Sequence, residues 1–289
     1  MTFAFIAAER ASYPVQTLCR CLGVTRSGYY AWQRRPPSRR HQVDAQLTRR
    51  LRVVHADSRQ TYGRPRLLRA LRAEGLAVGG TRVARLMRAA GLVAHGRRRY
   101  RVTTDSAHPY PIAPDYVHRR FTPRRLNRIW AADLTACPTR EGWCYLAVIL
   151  DLASRRVIGW AVGRAATSTV VTAALQQALV RRRPTTRVLH HSDRGCQYAG
   201  HAYRRALAAA GLRASMSRKG NCWDNAPVES FFSTLKTECL PDRPWPDQAT
   251  AHAALRAYID GFYNPRRLHS ALGYLSPIDY EQRLRVARA

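Results

Sequence analysis

Three carboxylates in this 289-residue chain sit where chemistry on a phosphodiester would need them. Asp133 lies inside the apolar run IWAADLTACP, Asp193 closes RVLHHSD, and Glu229 follows Ala226-Pro227 at the head of a helical pattern, with 35 residues between the last two. Hard divalent cations such as Mg²⁺ take a few carboxylate oxygens plus water and substrate phosphate. A pair of them clamps the attacking and leaving oxygens of an in-line displacement. Each residue also has a plainer reading. Asp133 could be a hydrogen-bonded core Asp, Asp193 a turn residue before Gly195, and Glu229 a first-turn Glu favoured by the helix dipole. A carboxylate in an apolar strand is costly without a partner or a metal, and the three together describe a metal site better than three separate accidents.

Such a site needs a polyanionic substrate, and the charge balance supplies the match. The formal net charge is +31, with 24 basic against 6 acidic residues in the first 120 positions and 25 against 12 in the rest. That excess is the footprint of a nucleic-acid binder. All but two of the basic residues, Lys219 and Lys236, are Arg; a GC-rich genome would explain that ratio but not the excess over acids. The seven Cys are scattered without a C-x-x-C pair, which supports neither a disulfide framework nor a zinc ribbon. No run approaches ~18 apolar residues and the N-terminus lacks a signal-peptide core, so a cytoplasmic, nucleoid-associated protein without a membrane partner is expected.

The elements that must position the trio are legible from residue 127 onward. IWAADLTACP, GWCYLAVILDLAS and RRVIGWAVG read as an antiparallel meander with turns at Thr139–Gly142 and Ser154–Arg155. A helix over about 167–182, a fourth strand RVLHHSD, a helix GCQYAGHAYRRALAAAG, a fifth strand LRASMS and a helix opening at Ala226-Pro227 complete a mixed five-stranded sheet with helices packed on it. On that layout Asp133 lies inside the first strand, Asp193 at the carboxyl end of the fourth and Glu229 in the first turn of the last helix, a convergence typical of strand-end sites.

The first half reads as helical. Residues 1–36 contain helix, Gly23 turn, helix, with Thr25 or Ser27 as cap; residues 33–42 read as a connector. Residues 43–101 form a second helix-turn-helix-like unit, starting at Gly63-Arg64-Pro65 and turning at Gly79-Gly80, with Thr81 as cap and Val83, Leu86 and Met87 inward. Arg82, Arg85 and Arg88 line one side of its second helix, where they meet DNA or merely face solvent. Residues 102–126 are Pro-rich and read as an interdomain linker, leaving 127–289 as the catalytic domain with a C-terminal extension.

Around the trio, Lys236 falls two helical turns after Glu229, on the same face. Lys219 lies in the Gly-containing loop 217–225, which is either a flap over DNA or a plain loop. His190 and His191 end the fourth strand, one facing the core and one bordering the site. Arg266, Arg267 and His269 form a basic element that either contacts DNA or belongs to a structural helix.

IWAADLT, HHSDRGCQYAG, SRKGNCWDNAPVESFFSTLKTE and YNPRRLHSALGYLSP resemble the successive signatures of the second-frame transposases of bacterial insertion-sequence family three, whose core is similar to retroviral integrases. The resemblance spans nearly the whole chain. It implies an α/β ribonuclease-H-like catalytic core preceded by an all-α helix-turn-helix region. It also implies an enzyme, a polynucleotidyl transferase that binds insertion-sequence ends, cleaves them and joins the freed 3′-hydroxyl to DNA. Carried over by position, Asp133, Asp193 and Glu229 would hold two Mg²⁺ ions, with Mn²⁺ as substitute, and Lys236 would be the basic residue seven positions after the Glu. The zinc module of retroviral integrases has no counterpart spacing here. The implied partners are double-stranded DNA at terminal repeats and target, further copies of the chain on that DNA, and an upstream-frame helix-turn-helix partner or fusion. The rival readings are a DNA-binding regulator without catalysis, a tyrosine recombinase built on Tyr263, Arg267 and His269, and a simple metal nuclease.

Overall fold

A computed structural model describes residues 1–95, 110–218 and 222–287. The chain opens with three short helices, α1 (Thr2–Glu9), α2 (Val15–Cys21) and α3 (Arg26–Arg34). Gly23 turns α2 into α3 with a φ of 63°, and the Thr25 hydroxyl accepts the Gly28 N–H at 3.1 Å, so Thr25 is the cap. These helices close on their own small core of Ile6, Leu18, Cys19 and Tyr29.

The connector expected over 33–42 is shorter than its composition suggested. Ser38 caps the 19-residue helix α4 (Arg39–Asp57), its hydroxyl accepting the His41 N–H at 3.2 Å. Then come α5 (Arg64–Ala73), with Pro65 in its first turn, and α6 (Gly80–Ala89). The helix α6 starts one residue before Thr81, and Gly79 occupies the cap position without a side-chain bond. Val83, Leu86 and Met87 are buried as expected.

The sheet is built from β1 (Ile129–Thr139), β2 (Gly142–Asp151), β3 (Val157–Gly163), β4 (Leu189–Ser192) and β5 (Arg213–Met216), in the order β3-β2-β1-β4-β5. The meander β1-β2-β3 is antiparallel, whereas β4 and β5 join parallel to β1. Strand alternation sorts the side chains onto two faces. Trp130, Ala132, Ala147 and Ile149 pack beneath α7 (Ser168–Arg182), α8 (Cys196–Ala199) and α9 (His201–Ala209). Ala131, Cys137, Leu146 and Val148 face α10 (Ala226–Glu238) and α11 (Gln248–Tyr258). Gly159 is required on the first face, since a Cβ there would lie 2.1 Å from the Ala174 carbonyl of α7. The segment read as one helix, GCQYAGHAYRRALAAAG, breaks at Gly200, whose extended backbone (φ −63°, ψ 150°) separates α8 from α9.

Two differences bear on function. The core on the α10 face runs on without interruption into Leu47, Leu51, Leu67, Leu71 and Met87, so α4–α6 share a core with the catalytic half. Nor is the described part of the Pro-rich segment a free linker. Val117 is buried, the Tyr116 N–H donates to Ser215 Oγ at 3.0 Å, and the Arg213 guanidinium lies 3.6 Å from the Tyr116 ring centre, so this stretch covers the edge strand β5. The chain ends in α12 (Pro277–Val286). Among the described residues no helix is long and apolar enough to cross a membrane.

Candidate active site

The strand register brings the first two carboxylates level. In the parallel pair, Ala131 of β1 lies opposite His191 of β4, and Asp133 and Asp193 each follow two residues later. Alternation puts Asp133 on the face shared with Ala131 and Cys137, the face that α10 covers. The head of α10 is tied to this strand by the Asn225 Nδ2 donating to the Ala132 carbonyl at 3.3 Å, which sets Glu229, one turn on, over Asp133. Gly195 lets the chain fold back under Asp193: its N–H donates to Asp193 Oδ1 at 3.0 Å, and a Cβ would sit 3.1 Å from that oxygen.

The electrostatics show the three acting on one another. Burial pushes the Asp133 carboxyl well above the usual range, and Asp193 and then Glu229 push it further; the Leu134 N–H, 2.7 Å from Asp133 Oδ1, and Lys236 oppose them. Glu229 is raised by burial and by Asp193. Among the described residues no three His, Cys, Asp or Glu side chains are grouped closely enough to enclose an ion unaided. The donor chemistry fits a hard divalent cation. Three oxygen-bearing groups disfavour each other's charge, and the buried Asn225, bonded through Nδ2 to the Ala132 carbonyl next to Asp133, has an Oδ1 with no hydrogen-bond partner.

Lys236 lies in the last turn of α10. It is partly buried, burial lowers its ammonium, and Cys137 and Asp133 raise it, which places it over the same stretch of β1. Both histidines turn out to be buried. His190 is pushed down to about 3 by burial and meets Tyr203 Oη at 2.9 Å. His191 bridges Ser215 Oγ and the Asp224 carbonyl, each at 2.9 Å.

Sequence reasoning passed over Asp224, Asn225 and Tyr198. The Asp224 carboxylate is buried and accepts from Arg218 Nε at 2.8 Å, from the Arg218 N–H at 3.1 Å and from Arg119 Nε at 2.9 Å. The Arg218 guanidinium above all holds its carboxyl far below the usual range. It thereby pins both sides of the loop that leads into α10. Tyr198 Oη is buried without a partner, and Asp133 and Asp193 both disfavour its ionisation. The signal available for these residues was only their own polar side chains in the NCWDN and GCQYAG segments.

The DNA-contact candidates divide. Arg82 and Arg85 clasp Asp44 of α4 at 2.7 and 2.5 Å, whereas Arg88 is exposed. Arg266 is exposed, and Lys219 lies outside the described residues. Arg267 and His269 are not surface groups. Arg267 is only 5 % exposed and grips Glu238, at the end of α10, through Nε and Nη2 at 2.8 Å. His269 meets Tyr263 edge-on with ring centres 5.0 Å apart and is pushed down to about 2 by burial, so it is neutral. Their segment is a joint instead. Tyr62 Oη accepts the Leu268 N–H at 2.7 Å, and Arg66 Nε donates to the Leu268 carbonyl at 3.1 Å, docking the α4–α6 unit here. Tyr263 is buried with its hydroxyl on the Arg155 carbonyl at 3.1 Å, which removes the nucleophile a tyrosine recombinase would need.

Comparison with known proteins agrees with this geometry. Residues 123–222 and 210–277 match two family models each described as an integrase core domain, and residues 42–100 match one described as an HTH-like domain. The chain is 39% identical over 285 residues to the transposase InsF for insertion sequence IS3A of Escherichia coli strain K12, covering 98% of this chain and 99% of that one. It belongs to the IS3 family of insertion-sequence transposases. An uncharacterized 31 kDa protein of insertion element IS600 from Shigella sonnei is 42% identical over 266 residues, 92% of this chain and 98% of its own. Among solved structures, the catalytic core domain of BIV integrase is 18% identical, covers 56% of this chain and 99% of its own, and has a TM-score of 0.38. As an IS3-family transposase, the chain carries a ribonuclease-H-like integrase core of the polynucleotidyl transferase class, joined to a helical region with an HTH-like domain.

Proposed function

We propose that this transposase cleaves the ends of its insertion sequence by phosphodiester hydrolysis and joins the freed 3′-hydroxyl to a second DNA phosphate by direct transesterification. The convergence of Asp133, Asp193 and Glu229 on one sheet face carries the reading. Those three residues would hold two Mg²⁺ ions, or Mn²⁺ in their place, which supply activation of the attacking oxygen and charge for the leaving one. The chain's own residues position the reactants. Lys236 holds the end phosphate on the α10 face, and Asn225 and Tyr198 orient polar groups at the floor of the site.

Arg88 and Arg266, with Arg82 and Arg85 when released from Asp44, and Lys219 serve as DNA contacts, the first two sharing one continuous body with the catalytic half. The domain division that accompanies this reading is 1–36 and 43–101 for end recognition, 102–126 as connector and 127–289 for catalysis. Double-stranded terminal repeats and target DNA are the partners, with several copies of the chain assembled on them, an upstream-frame partner or fusion, and a cytoplasmic, nucleoid-associated location. A regulator without catalysis would have no use for three carboxylates that destabilise one another.

The test is a strand-transfer assay with a terminal-repeat oligonucleotide and a plasmid target. Joined product that requires Mg²⁺ or Mn²⁺, with no denaturant-resistant protein–DNA adduct, is expected. Product formed in chelator, or a covalent adduct, would overturn the reading. Lys236→Ala should lower joining of the repeat far more than it lowers nonspecific duplex binding, because one phosphate contact is a small part of a large electrostatic total.

A further inference from the structure

The helical unit of residues 39–95 carries 13 Arg and only three acids, Asp44, Asp57 and Glu74. One of those acids sits against α6, the second helix of the helix-turn-helix, the element with which such units enter the major groove. Asp44 projects from the first half of α4 and takes up two of the three arginines of α6. Its Oδ1 accepts from Arg82 Nε at 2.7 Å and its Oδ2 from Arg85 Nη2 at 2.5 Å. The Asp44 side chain is 14 % exposed, against 31 % and 48 % for the two arginines, so the carboxylate lies beneath guanidiniums that reach solvent. Those guanidiniums, Arg85 above all, hold its carboxyl below the usual range.

This contact is not what joins α4 to α6. Leu47 and Leu51 of α4 share a buried core with Val83, Leu86 and Met87 of α6, and an ion pair this open adds little to that packing. Its consequence falls on DNA instead. Each carboxylate oxygen accepts from a guanidinium N–H as a phosphate oxygen would. A phosphate, the acceptor that every duplex offers, must displace Asp44 from both arginines and then remain beside a like charge. The edge of a guanine, with neutral O6 and N7, accepts a bidentate Arg without that repulsion. A charge that penalises the wrong partner more than the right one yields specificity.

We propose that Asp44 is a specificity-determining residue, which competes with phosphate for Arg82 and Arg85 and so suppresses binding of duplex that lacks the terminal sequence. The inference rests on the end-recognition reading of α4–α6 above.

The test compares the full-length protein with Asp44→Asn and Asp44→Ala in titrations of two duplexes of equal length, one a terminal repeat and one of random sequence, across salt. The control is Glu74→Gln, which removes the same unit charge and breaks the Arg50–Glu74 pair, 2.5 Å long, in the same helical unit. Both Asp44 variants should bind the random duplex about tenfold more tightly at ~0.15 M salt. Their slope of log affinity against log salt should steepen by about 2 units, at ~0.9 for each released guanidinium. Affinity for the terminal repeat should move by less than about threefold, so the ratio between the two duplexes narrows. An unchanged random-duplex slope, or an equal gain in Glu74→Gln, overturns the proposal. So does a loss of repeat binding without a gain on random duplex, which would make Asp44 a brace that aims the arginines. If the parent binds both duplexes equally, the end-recognition reading fails, and the random-duplex slope still decides whether Asp44 competes with phosphate.

Discussion

Asp133 is held where its charge is disfavoured, by burial and by two neighbouring carboxylates. A carboxyl whose pKa is raised on folding contributes its full stability below the unfolded value and loses it as pH rises to the folded value. Above the unfolded value, the folded metal-free protein therefore works against the Asp133 charge. Asp133→Asn should raise its Tm by about 2–6 °C in a calorimetric scan. Mg²⁺ should raise the Tm of the parent and not of the variant; a lower Tm for the variant would contradict the account. Arg267 presents the opposite case. Removing it leaves Glu238 buried and unpaired, so Arg267→Ala should cost about 3–5 kcal/mol in denaturant unfolding. Arg266→Ala should leave stability unchanged and weaken DNA binding. Residue type and spacing were enough to single out the trio and Lys236 as candidates. Arg267 and His269 were misread because a basic tripeptide looks like surface when its buried partner, Glu238, lies 29 residues away. Asp224 carried no signal because one of its two clamps, Arg119, is 105 residues distant.

At the scale of elements, the site depends on how β4 and α10 are seated. The β4 turn needs Gly195, where a Cβ would crowd both Asp193 and Gln197. Gly195→Ala should shift Asp193 and reduce cleavage at least about tenfold while the fold persists; undiminished cleavage with unchanged metal dependence would show that the turn has slack. The strands and the antiparallel meander followed from apolar runs and turns, including the turn at Thr139–Gly142, whereas the seating of β4 and β5 parallel beside β1 left no local trace in the sequence. The helix α4 was harder to see, because RRHQVDAQLTRRLRVVHAD begins with charged residues that read as connector before its apolar stripe starts at Leu47. The packing of 110–121 on β5 rests on single long-range contacts such as Tyr116 to Ser215, which leave no periodic trace.

For the whole molecule, the continuous core from α4–α6 through α10 and α11 makes the second helical unit and the catalytic half one cooperative body. The first three helices have a core of their own. Thermal unfolding should thus show a main transition that includes residues 39–95 and the sheet, with a separate, smaller event for residues 1–34. Limited proteolysis that releases a folded 39–95 fragment would contradict this. The docking of Tyr62 and Arg66 on Leu268 means that an end bound by α4–α6 is held at a fixed distance from the carboxylates.

The proposed function rests on three carboxylates, and replacing them one at a time is its direct test. Asp133→Asn, Asp193→Asn and Glu229→Gln should each abolish Mg²⁺-dependent cleavage and joining of terminal-repeat DNA while leaving duplex binding within about twofold of the parent, since binding is dominated by phosphate contacts made elsewhere. Any one of the three retaining both cleavage and joining at parental rates would contradict the assignment of the site.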